Sequence, residues 1–91
     1  MHDKVLLSVK LPATGGLYEF RVPFDLTVDQ ASRLISQVLG RREPSRYEPS
    51  DAVDLMLLDD GGAGGQLNPN ETVRALVEQG TLVDGSHVAL V

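Results

Sequence analysis

The 91 residues contain no cysteine. That absence removes a disulfide framework, a thiol nucleophile and every thiolate metal site together, so stability must come from packing. Long apolar runs are missing too: Leu55-Met56-Leu57-Leu58 falls far short of the ~20 residues that cross a bilayer. Basic residues are the minority sign, eight against thirteen acids for a net charge of −5, and this field opposes nucleic acid and anionic lipid surfaces. Any basic site must be local. The opening Met1-His2-Asp3-Lys4 shows no basic stretch leading into an apolar segment and a cleavage site, so the chain is expected to work in the cytoplasm without a secretory leader. What remains, 42% apolar and 23% charged residues, is an ordinary globular mix at a length that supports one core. A single domain over residues 4–91 is expected, with residues 1–3 as a flexible N-terminus.

Two periods organise the chain. From Lys4 to Leu11, Val5, Leu7, Val9 and Leu11 alternate with Lys4, Ser8 and Lys10, Leu6 being the exception; this is a half-buried strand. Pro12 to Gly16 supplies a hairpin loop, and Leu17 to Val22 alternates again, Tyr18, Phe20 and Val22 against Glu19 and Arg21, until Pro23 ends the ladder. The period then becomes 3.6: Val28, Ala31, Leu34, Ile35, Val38 and Leu39 form one stripe, with Asp29, Arg33, Ser36 and Gln37 opposite. Thr27 and Gln30 make a capping box, and Gly40 is placed to stop the helix at Leu39. Arg41 to Asp51 reads as loop with little core. Val53 to Leu58 reads as a strand, Gln66-Leu67 as a short one, Thr72 as the cap of a short helix to about Glu78, and His87 to Val91 as the last strand.

One apolar helix stripe needs one apolar sheet face. The order therefore predicts a two-layer α+β domain, a β-grasp roll: a mixed sheet of four to five strands with one main helix packed on one face. The first and last strands lie parallel at its centre, joined by right-handed crossovers.

With its ββαβ order, its Gln66-Leu67-Asn68-Pro69-Asn70-Glu71-Thr72-Val73 stretch and its Gly80 to Val91 ending, the chain resembles ubiquitin-like proteins over almost its whole length. Within that class it is similar to the YukD/EsaB proteins of bacterial type VII secretion and to the cytosolic ubiquitin-like domain of the EccD membrane component. The resemblance implies a non-enzymatic, cytoplasmic interaction module that meets a protein partner, a type VII secretion component, or a second copy of itself. Conjugation is not expected, because Val91 falls inside the last strand where modifiers carry a Gly-Gly tail, and only Lys4 and Lys10 could accept one. The alternatives are a modifier or sulfur carrier whose tail is missing, and the cytosolic domain of a larger membrane secretion protein.

Catalytic, metal and cofactor readings find little support. His2 lies at the terminus and His87 stands alone, a surface or edge histidine. Asp59 and Asp60 beside a glycine-rich turn lack calcium-loop spacing, Gly61 to Gly65 lacks the phosphate-loop lysine, and Asn70-Glu71-Thr72 reads as cap and turn. No cofactor and no metal are expected. The stronger signal is an apolar surplus: strand parity puts Leu6, Met56, Leu58, Ala89 and Val91 on the sheet face away from the helix. Of these, Met56, Ala89 and Val91 resemble the apolar surface by which ubiquitin meets partners; such a patch reads first as a partner interface, then as a self-association surface, and last as a face that a loop covers. Arg33, Arg41, Arg42 and Arg46 form a secondary basic candidate, read first as a solvated face near a helix C-terminus.

Overall fold

The computed structural model describes residues 3–50, 52–58 and 64–91. The readings placed on His2, Asp59, Asp60 and the glycines at 61 and 62 lie outside the described residues. Strand β1 (Lys4–Leu11) and β2 (Gly16–Pro23) form a hairpin, helix α1 (Val28–Arg42) crosses the sheet, and β3 (Leu55–Leu58), β4 (Gly64–Gln66), α2 (Val73–Glu78) and β5 (Ser86–Leu90) follow. The sheet order is β2-β1-β5-β3-β4, with β5 parallel to β1 and antiparallel to β3. This is the mixed sheet that the sequence predicts, with the first and last strands paired at its centre.

The core lies between this sheet and α1. Val5, Leu7, Val9 and Leu11 of β1, Leu55 of β3, and Val88 and Leu90 of β5 meet Val28, Ala31, Ile35 and Leu39 of α1. Each aliphatic side chain taken fully out of water there contributes ~1.5–3 kcal/mol. The capping box forms in both directions: the Gln30 N–H donates to Thr27 Oγ1 at 3.1 Å and the Thr27 N–H to Gln30 Oε1 at 3.0 Å. The Val28 N–H donates to the Glu71 carbonyl and the Val73 N–H to the Leu26 carbonyl, which ties the two helix N-termini together. Asp3, expected in the flexible N-terminus, accepts the Phe24 N–H at 2.9 Å.

Five local expectations are corrected. Helix α1 runs past Gly40 to Arg42, and Glu43 caps it with its N–H on the Leu39 carbonyl. Gly40 serves a close approach instead, for a Cβ there would meet Pro49 Cγ at 2.1 Å. Ser36, assigned to the solvent face, is fully buried, and Leu34, assigned to the core stripe, is 45% exposed. The loop after α1 is the reason: it folds over one flank of the helix and seats Tyr47 against the core, so the buried stripe rotates toward Ser32 and Ser36 and away from Leu34. Ser36 Oγ lies 2.6 Å from Tyr47 Oη and accepts the Ser50 N–H at 3.1 Å; Ser32 Oγ donates to the Asp29 and Val53 carbonyls. The loop thus carries more core than expected. Strand β3 begins at Leu55 rather than Val53, although Val53 is buried.

Candidate protein-interaction face

The sheet face opposite α1 is built by register. Ser8, His87 and Leu58 share one row across β1, β5 and β3, and Lys10, Ala89 and Met56 share the next. The rows extend outward to Glu19 and Leu17 on β2 and to Gly64 and Gln66 on β4. Val91 continues the face one row further, its backbone exchanging hydrogen bonds of 3.0 and 2.9 Å with Asp54. Met56, Leu58, Ala89 and Val91 therefore come together, as their parity predicts.

Leu6 does not join them. It shares the face but pairs with Arg21, and its N–H and C=O engage Asp84 Oδ1 and the Gly85 N–H at 2.9 and 2.8 Å. It lies one row beyond the Ser8, His87 and Leu58 row, ~7 Å along the strand, and two rows, ~13 Å, from the Lys10 row, with β5 between it and β3. Ala89 is a second correction: it is only 6% exposed. By register it stands between the longer residues Lys10 and Met56, so it floors the patch and offers little contact area itself. Met56 and Leu58 are half-buried, and Val91 is 53% exposed.

Leu17, 63% exposed, is the residue that the expected patch left out. It lies in the Lys10, Ala89 and Met56 row. Its signal was present in the sequence: it falls on the Glu19 and Arg21 side of β2, opposite Tyr18, Phe20 and Val22. His87, exposed in the Ser8 and Leu58 row, has only those two as cross-strand neighbours. Among the described residues no group of three or more His, Asp or Glu side chains is placed to hold a metal ion.

Arg33 stands apart from the other three arginines, of which Arg42 and Arg46 converge on the Tyr18 and Glu43 side chains. Arg33 pairs with Asp29 one turn earlier on α1. Arg46 reaches Glu43 at 3.8 Å and donates to the Thr14 carbonyl at 2.9 Å, while the Arg42 guanidinium sits 5.9 Å from the centre of the Tyr18 ring. Arg41 is exposed in the last helical turn. Eight residues of helix part Arg33 from Arg41, ~12 Å along the axis.

The parallel pairing of first and last strands, the single crossing helix and the mixed five-stranded sheet define a ubiquitin-like β-grasp domain. No family model and no curated protein matches the chain. Among solved structures it is similar to a chain of the MycP5-free ESX-5 inner membrane complex, State II, at a TM-score of 0.72 and 14% identity over 99% of its length. It spans only 21% of that longer chain. It is also similar to the solution structure of the N-terminal ubiquitin-like domain in the 4931431F19Rik protein, at a TM-score of 0.66 and 22% identity, covering all of this chain and 76% of that one.

Proposed function

We propose that the chain is a non-catalytic ubiquitin-like interaction module, serving as a cytoplasmic accessory or regulatory part of a bacterial type VII secretion apparatus. It docks a protein partner on the outer sheet face and takes no part in conjugation. The observation that carries this reading is the apolar cluster of Met56, Leu58 and Val91, floored by Ala89, on the face that α1 leaves bare, with exposed Leu17 further out on the same face beyond Lys10. The similarity to a chain of the ESX-5 inner membrane complex supports the context. The sequence resemblance to YukD and EccD points the same way.

The test is recovery of an identified secretion component from cytoplasmic and membrane fractions, with the Met56→Asp variant as control. Met56 is half-buried on the outer face, so the variant is expected to stay folded and lose the partner. Recovery of an adenylating enzyme instead, or equal recovery by both forms, refutes the reading. The 21% coverage of the ESX-5 chain favours a second reading, a cytosolic domain of a larger membrane protein. A natural coding sequence that continues past Val91 into hydrophobic spans would establish it.

A further inference from the structure

Strand β2 ends the sheet on one side, and it is long for an edge: eight residues with proline only at the last position, against three residues in β4 at the other side. Its outward-turned backbone groups can be assigned. The Leu6 N–H and C=O face the Asp84-Gly85 turn ahead of β5, whereas the Leu11 carbonyl accepts the Gly15 N–H in the hairpin. Odd residues of β1 therefore bond β2, and register makes Val5 with Val22, Leu7 with Phe20 and Val9 with Tyr18 the hydrogen-bonded pairs. The N–H and C=O groups of Leu17, Glu19 and Arg21 are left facing outward, and none bonds another backbone or side-chain group among the described residues. Neither the Glu19 nor the Arg21 side chain is in an ion pair there.

We infer that this edge pairs with β2 of a second copy of the chain, antiparallel about a twofold axis at Phe20, to give a continuous ten-stranded sheet. The charge pattern selects both occupant and register. Centred on Phe20, the pairing sets Glu19 opposite Arg21 of the second copy and Arg21 opposite its Glu19. Because both residues are outward-bonding, each pair also exchanges two backbone hydrogen bonds. The Leu17 N–H faces the second copy's Pro23 carbonyl, which within its own chain receives only a long 3.4 Å bond from Leu26. Slipping the register by two residues either way sets Glu19 against Glu19 or Arg21 against Arg21, which opposes association. Single charges on an edge strand usually discourage pairing; two opposite charges flanking one residue make the edge self-complementary, as a twofold interface requires. On the helix side, half-buried Phe20 meets its own counterpart across the axis.

Sedimentation or light scattering on the full chain, up to on the order of 1 mM, reads the association. Wild type is expected to associate with concentration. Glu19→Arg and Arg21→Glu, each placing like charges opposite one another, should each weaken self-association about tenfold or more. An equimolar mixture of the two variants should recover it, since all four facing positions then hold opposite charges. Recovery also requires both variants to be folded. Met56→Asp should leave it unchanged. A wild type that stays monomeric throughout, single variants that associate as before, a mixture that fails to recover, or loss on Met56→Asp would each overturn the inference.

Discussion

Gly40 sets two effects of opposite sign against each other. In an exposed helix interior, Gly→Ala stabilises by ~0.8–1 kcal/mol through backbone entropy. Here the new Cβ would lie 2.1 Å from Pro49 Cγ and 2.8 Å from its Cδ, and a proline ring cannot rotate out of the way. The loop must lift, and with it the Ser50 N–H from Ser36 and Tyr47 from the flank of α1. Overpacking of this kind costs ~1–3 kcal/mol. Gly40→Ala should therefore be a net loss of ~1 kcal/mol, read in urea denaturation or as a fall in Tm of ~4–8 °C. Pro49→Ala removes Cγ and Cδ and leaves Cβ at 3.3 Å, still a tight contact that a shift of a few tenths of an ångström in the loop relieves. In that background Gly40→Ala should lose most of its cost, moving at least ~1 kcal/mol toward stability relative to its effect in the wild-type chain. A stabilising Gly40→Ala in the wild-type chain would refute the seating of this loop on α1.

Ser36→Ala should cost ~1–2 kcal/mol, because it strips a partner from Tyr47 Oη and from the Ser50 N–H. Combined with Tyr47→Phe it should cost much less than the two singles added, which a double-mutant cycle in urea would measure. Gly85→Ala forces a side chain onto a backbone held at φ +91° in the turn that clasps Leu6, and a loss of ~1–3 kcal/mol in denaturation is expected. An unchanged midpoint would show that the turn relaxes without strain.

The strands with clean alternation, β1 above all, were legible in the sequence, because side-chain parity depends only on which face meets the helix. The capping box at Thr27 and Gln30 was equally local and equally legible. Gly40, Ser36 and Leu34 were not. Each is set by the loop that lies on α1, and a helical period reports where apolar residues recur without saying which flank a distant segment will cover. The outer face divides in the same way. Parity placed Met56, Leu58 and Val91 correctly, but the distance to Leu6 and the low exposure of Ala89 follow from register between strands far apart in the chain. Leu17 was on the outer face by parity alone, and register adds only which row it joins.

The central place of β5 has a consequence for synthesis. The strand that joins the β1-β2 hairpin to the β3-β4 pair is made after every other element, so on the ribosome the two halves wait without the seam between them. A chain stalled or clipped ahead of Ser86 leaves Ser8 and Lys10 unpaired on one side and Met56 on the other, with the core apolar faces of both halves in water. Such a product is ready prey for chaperones and proteases. The sheet therefore closes only once the polypeptide has been translated through its last strand.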